Sequence, residues 1–464
     1  MKLPNIDIDK ITTLAEAKNV IEFLLQAYTE QQEEIRQLRE EINRLKGQPK
    51  KPQFFSKRGH KQASVTTLLK EEGTWSKNSK KGKLAIDREE RMTEVDTCAC
   101  GSTSFRVLRT RRQVIQGLLF RRDNVLYRGR EKQCINCGKR YKCHLPKELQ
   151  GRSFSPELSS FLSFWKYGCR VTQPLMLRTL AGMGIQISSG QVSNLILENG
   201  KKLKLADQQL RAVGIAKSKY LQSDASGAKR KEKETGEIKN QYVQVISNQL
   251  LSIFSITKYY NAKTLNRLLT KKGRKKPFVS DDGSPNGESL NVKIKQLCWI
   301  HEIRHYQKLF PFFNNHQEIQ KDILQQWRTF YHQAKHYSEA PPIAQYKQKE
   351  QINELFDQIT SQTTGYDLVD KQLKLTLKKK ERLLAFLDHP ELPIHNNQCE
   401  SDIRPFVIIR KISGATKSYA GDKSLARHLS VIKTAQKQGL DVFQTLHGLL
   451  TGQLSPAILT ANIS

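Results

Sequence analysis

The run from Tyr220 to Ile300 limits the possible fold more than any other part of the chain. "YLQSDASG" reads as a short strand ending at Asp224. "QYVQVISN" and "LLSIFSIT" follow as two alternating runs divided near Gln249, the pattern of a hairpin. "AKTLNRLL" has helical spacing, "KPFVSDDG" reads as a strand ending in Asp281 and Asp282, and "KQLCWI" as one more strand. Three meandering strands, a helix and a further strand is the chain order of a ribonuclease-H-like α/β fold. In that fold, acids at the ends of the first and fourth strands come together. Much later, "LPIHNNQCESDIRPFVIIRKISGA" places Glu400 on a helix-like stretch.

Charge says what such acids would face. Lys and Arg number 78 against 45 Asp and Glu, a formal net charge of +33 over 464 residues. An excess of this size suits a polyanion, with nucleic acid the first candidate and an anionic membrane surface the second. No apolar run of about 18 residues is present, which argues against a membrane span. No apolar stretch follows the early Lys of "MKLPNIDIDK", so a secretory leader is not expected and a cytoplasmic, nucleoid-associated location is. Taken singly, Asp224 fits a strand-end turn residue, and Asp281-Asp282-Gly283 a turn or helix cap. Together in a basic chain they fit phosphodiester chemistry, which needs an activated oxygen nucleophile and a stabilised leaving oxygen. Two magnesium ions about 4 Å apart supply both, and magnesium favours carboxylate oxygens and water.

The flanking regions read as DNA-handling modules. Ile21, Leu24, Tyr28, Gln31, Ile35, Leu38, Ile42 and Leu45 form a heptad seam, so residues 1–47 are expected to be a coiled-coil helix that joins copies of the chain. Residues 48–95 are a basic linker with little periodicity. In residues 96–148, Cys98 and Cys100 form one pair and Cys134 and Cys137 another, at the ends of strand-like runs such as "VLRTRRQVIQG" and "NVLYRG". Four thiolates would complete a tetrahedral zinc site in a zinc-ribbon-like, DNA-binding module, with Cys143 as a substitute ligand. Eight sparse cysteines suit reduced thiols more than a disulfide framework. Residues 149–212 look helical, with "GMGIQIS" as a turn and Ser188-Ser189 as N-caps of a second helix, a helix-turn-helix-like arrangement.

"LCWIHEIRHYQKLFP" contains H-E-x-x-H at His301, Glu302 and His305, the string of zinc proteases. A zinc protease needs a third protein ligand. The extended form of the motif would put Gly and His where Lys308 and Pro311 stand. The string is therefore not expected to mark a zinc protease.

The C-terminal block, "IHNNQCESDIRPFVIIRKISGATKSYAGDKSLARHLSVIKTAQKQGLDVFQTLHGLLTG", closely resembles that of insertion sequence 66 family transposases. The resemblance rests on Asn396-Asn397, Glu400, Ile403-Arg404-Pro405 and Arg410-Lys411, and the order of the modules before it is similar too. It implies a DDE enzyme that cuts transposon ends and joins them to target DNA with magnesium (or manganese). Carried over by position, the triad is Asp224, Asp281 and Glu400. Asp281 is preferred to Asp282 because the strand "PFVS" leads directly into it. The catalytic core would span residues 213–415, with a helical insertion at about 301–390 and a C-terminal helical segment at 416–464. Arg404, Arg410 and Lys411 would meet DNA phosphates beyond Glu400, unless Pro405 ends that helix early. Asn396 and Asn397 would cap the helix. Two departures stand out: Ala225-Ser226 follow the first Asp where the family commonly has Glu-Thr, and the tight Cys98-x-Cys100 pair departs from the usual two-residue spacing. The alternative is a catalytically inactive, transposase-derived DNA-binding or regulatory protein. Accessory transposition proteins are compatible with either reading.

Overall fold

A computed structural model describes residues 122–463 apart from Gly138, Lys233, Glu234, 284–289 and Phe312, together with a few residues between 89 and 106. The expected coiled coil, the basic linker (but for Glu89) and Cys98 lie outside the described residues.

A five-stranded mixed sheet organises the chain. Strands β3 (Leu221–Lys231), β4 (Ile238–Ser247) and β5 (Ser252–Thr257) form an antiparallel meander. Asn248 closes the β4–β5 turn, its Oδ1 accepting from the amides of Leu250 and Leu251 at 2.8 Å each. Helix α4 (Ala262–Gly273) then leads to β6 (Phe278–Ser280), parallel to β3, and β7 (Lys295–Leu297), parallel to β6. The strand order is β5-β4-β3-β6-β7. The period of two sends Leu221, Ile246, Ile253 and Phe278 to one face, where they bury Leu265 and Leu269 of α4. Val243, Val245 and Phe254 bury residues on the other. Two covered faces are what a sheet with parallel strands requires.

Two strand limits differ from the expected ones. β3 does not end at Asp224, which is the fourth of its 11 residues. "DASG" has turn-forming composition, but pairing with β4 continues through Asp224↔Val245 to Lys231↔Ile238 and overrides it. The parallel pairing to β6 does stop early, at Gln222↔Val279. β7 ends at Leu297, so that Trp299 and Ile300 open a helix. A short apolar run such as "LCWI" fits a strand and a buried helical turn equally well.

Helices α1 (Pro156–Tyr167), α2 (Gln173–Gly182) and α3 (Ser189–Lys202) precede the sheet. α3 begins with a capping box: Ser188 Oγ accepts from the Gln191 amide at 3.2 Å, and Gln191 Oε1 accepts from the Ser188 amide at 3.1 Å. Leu162, Met176, Leu180, Val192 and Ile196 from these helices share a core with Val243, Val245 and Phe254. Between β7 and the last helices come α5 (Trp299–Gln307), α6 (Asn314–Glu339), α7 (Pro342–Thr360) and α8 (Asp367–Leu377), packed around Trp299, Trp327, Phe330 and Phe356. Helix α9 (Asn397–Ser413) passes through Pro405 without ending, at the loss of one intrahelical hydrogen bond.

The last helices, α10 (Tyr419–Lys437) and α11 (Val442–Thr451), join the sheet's cores. β5 is an edge strand, and α10 covers that edge. Thr434 Oγ1 accepts from the Ser252 amide at 3.1 Å and Ser430 Oγ from the Phe254 amide at 2.9 Å. Buried Asp402 of α9 adds a charged tie, accepting from Ser252 Oγ at 2.9 Å and from Lys437.

Near the cysteines, β1 (Lys132–Gln133) and β2 (Arg140–Tyr141) form a minimal hairpin. "NVLYRG" is not a strand, and the run 107–121 lies outside the described residues. No helix among the described residues is long and apolar enough to cross a membrane.

Candidate acidic site

Three carboxylates converge where the sheet meets α9. Asp224 lies on central strand β3, and its Oδ1 accepts from the Ala225 amide at 2.7 Å. Asp281 directly follows β6, and Glu400 sits in the first turn of α9. Side chains lock the start of α9 to β3. Asn396 Nδ2 donates to the Ser223 carbonyl at 2.9 Å, and Gln222 Nε2 to the His395 carbonyl at 3.3 Å. Asn396 occupies the N-cap position, but its side chain makes no capping hydrogen bond. The expected cap is thus replaced by a crosslink to the residue before Asp224. The strand carbonyl is a fixed, buried acceptor.

The electrostatics follow from this crowding. Burial pushes the Asp224 carboxyl up to about 6; the Ala225 amide opposes the shift, and the charges of Asp281 and Glu400 add to it. Glu400 Oε1 is buried without a hydrogen bond among the described residues. Arg304 Nη1 and His301 Nε2 approach it no closer than 3.5 and 3.7 Å. Burial lowers the His301 pKa, although the Glu400 charge pulls it upward. The H-E-x-x-H helix therefore faces the acids.

Asp282 has a different environment. Its Oδ2 accepts from His305 Nε2 at 3.0 Å and from Lys379 Nζ at 3.2 Å. The His305 hydrogen bond, helped by Lys379 and opposed by burial, holds this carboxyl well below the usual range. Lys379 also binds Glu302, which is 3% exposed. Asp282, Glu302 and His305 each offer a metal-capable atom within 4.8 Å of one another. The Lys379 ammonium already pairs with both carboxylates of that trio, however. The three carboxylates of Asp224, Asp281 and Glu400 are not gathered that tightly among the described residues. An elevated carboxyl and an orphaned buried carboxylate oxygen are what a hard divalent cation would satisfy, so these residues fit a metal.

The remaining expected site residues divide. Arg404 and Lys411 are exposed on α9, whereas Arg410 turns inward, donating to Ser226 Oγ at 3.1 Å and to the Gly227 carbonyl. Cys134 and Cys137 face each other across the hairpin turn. The Cys137 amide, then its thiol and the Asn136 amide, lower the Cys134 pKa, as suits a sulfur that ligates a metal. Cys100 and Cys143 are exposed, and with Cys98 undescribed the four-cysteine set is not seen as a whole. Arg304 and Lys379 were not expected at the site. Arg304 was findable, since it lies three residues after His301 on one helical face; Lys379 has no such signal.

A mixed α/β domain with converging carboxylates in a strongly basic chain is the class defined so far. The chain belongs to the insertion sequence 66 family: the model described as "Transposase IS66 family" matches residues 151–424, more than half of the chain. It is also 34% identical over 175 residues to the "Uncharacterized protein y4jO" of Sinorhizobium fredii, covering 36% of this chain and 50% of that protein. The match thus spans half the length of that relative.

Proposed function

We propose that the chain is a DNA transposase that cuts transposon ends and joins them to target DNA by metal-dependent phosphoryl transfer at Asp224, Asp281 and Glu400. The observation that carries this is the gathering of three carboxylates, with no ammonium at Asp224 among the described residues, inside the region that matches the family. The strand order, with Asp224 on the central strand and Asp281 after the strand parallel to it, supports a ribonuclease-H-like core.

A divalent cation held by these acids, magnesium or manganese, would supply activation of the attacking oxygen and charge neutralisation at the leaving one. The protein's own part is positioning. Asp224 would hold the ion as its carboxylate. Asn396 and Gln222 keep Glu400 opposite it. Arg410 braces β3 just past Asp224, so its contribution is to the site's shape, while Arg404 and Lys411 are free to meet phosphates. Cys98, Cys100, Cys134 and Cys137 would hold zinc in a DNA-contacting module. The helix pair α2–α3 would add further DNA contact, and the N-terminal heptads would pair copies of the chain.

The test is a cleavage assay on DNA carrying the sequences that flank the gene on either side. Metal-dependent 3′-hydroxyl formation and strand joining are expected. Binding without cleavage by the unaltered chain would support the inactive, regulatory alternative. DNA affinity should fall on the order of a thousandfold between about 50 mM and about 200 mM salt; a flat response would contradict phosphate-led binding.

A further inference from the structure

The H-E-x-x-H string points to a second cluster that the triad leaves unused. Glu302 is almost fully buried and receives Thr376 Oγ1 at 2.6 Å, Gln372 Nε2 at 3.3 Å and the Lys379 ammonium. The same ammonium reaches Asp282, which His305 also holds. Lys379 follows α8, and Leu383, four residues on, is docked against β7 and α5. Its carbonyl accepts from Gln296 Nε2 at 3.0 Å and Trp299 Nε1 at 2.8 Å. Lys379 therefore projects from a part of the helical insertion that is already fixed to the sheet.

The strand end opposite is short of backbone support. β6 has three residues, and its ladder to β7 ends at Ser280↔Leu297. Asp281 and Asp282 lie just past that limit. We propose that Lys379 is a positioning residue: by binding Asp282 and Glu302 together, it anchors the strand end that carries Asp281 and so sets how tightly the acidic site holds a divalent cation. This rests on the metal-binding reading of Asp224, Asp281 and Glu400. The alternative use of the trio, as a metal site of its own, would require expelling an ammonium whose side chain is only 15% exposed. Residues that orient ligands from behind commonly change metal affinity by about 10- to 100-fold.

The experiment is titration of the full chain with Mn²⁺ alone, reading free Mn²⁺ by electron paramagnetic resonance, with a thermal midpoint for each variant. Removing Lys379 alone would leave Glu302 charged and buried, so the informative variant is Lys379→Met with Glu302→Gln. Its thermal midpoint should stay near that of the unaltered chain while Mn²⁺ affinity falls about tenfold or more. Asp282→Asn, which cuts the same tie at its more exposed end, should weaken Mn²⁺ binding similarly, and this holds the test if the double variant fails to fold. Lys379→Arg should keep most of the affinity. Unchanged affinity in both the double variant and Asp282→Asn overturns the proposal. Extra bound Mn²⁺ in the double variant also overturns it, since the cluster would then be a metal site. Asp281→Asn separates the two levels. If it binds Mn²⁺ like the unaltered chain, the acidic-site reading fails. If it loses affinity while the Lys379 and Asp282 variants do not, only the positioning role fails.

Discussion

Asp282 is met by His305 at 3.0 Å and by an ammonium at 3.2 Å, whereas Asp224 is met by the negative charges of Asp281 and Glu400. One cluster carries its own cation and holds its carboxyl ionised far below the usual range. The other leaves Asp224 near 6 and a Glu400 oxygen without a hydrogen bond. A buried carboxylate paired internally serves the fold, because its charge is already balanced. One crowded by like charges is destabilising until a cation arrives, and such groups mark functional sites. The compact trio of Asp282, Glu302 and His305 looks more like a metal site by distance alone. The Lys379 ammonium, bound to both carboxylates of that trio, reverses the ranking.

The contrast can be broken at either cluster. The largest effect is expected at the unbalanced one: Asp224→Asn or Glu400→Gln should lower DNA cleavage by a thousandfold or more, about 4 kcal/mol of barrier, with DNA binding retained. Cleavage and binding assays on the same DNA check both halves. Next comes Lys379→Met by itself. It strands Glu302 in the interior and should destabilise the fold by about 3 kcal/mol, read by urea unfolding, with Glu302→Gln restoring much of the loss.

The smallest effect has the more telling sign. The Asp224 pKa is raised on folding, so the folded state binds the proton more tightly than the unfolded chain does. The resulting stability is present below the unfolded value near 4 and is lost as pH rises through about 6. At pH 7 to 8 without metal, Asp224→Asn should therefore raise stability, by about 1 to 2 kcal/mol. Saturating Mg²⁺ should cancel or reverse that gain. Destabilisation by Asp224→Asn in metal-free buffer would mean that the carboxylate is already balanced by the protein.

Much of this arrangement was legible in the sequence. Alternation marked the β4–β5 hairpin, the spacing of "AKTLNRLL" the helix after it, and "PFVS" the strand that delivers Asp281. The N-cap at Ser188 was legible in Ser188-Ser189; the Gln191 half of the capping box was not read. The length of β3 was not legible, because cross-strand pairing with β4, not local composition, carries the strand past "DASG". Nor was the role of Asn396, whose type suits a cap but whose side chain finds the Ser223 carbonyl 173 residues away in sequence. Lys379 is 97 residues from Asp282 and sits among many lysines of similar aspect. Contacts that the chain closes over such distances leave no periodic trace, and half of what distinguishes Asp281 from Asp282 is of that kind.

The central claim is therefore tested most directly by these two neighbours side by side. Asp281→Asn and Asp282→Asn are assayed for cleavage of transposon-end DNA at saturating Mn²⁺, where a weakened affinity for the ion no longer limits the rate. The expected result is loss of a thousandfold or more for Asp281→Asn and activity within about tenfold of the unaltered chain for Asp282→Asn. The reverse order, or equal losses, would contradict the assignment of the acidic site.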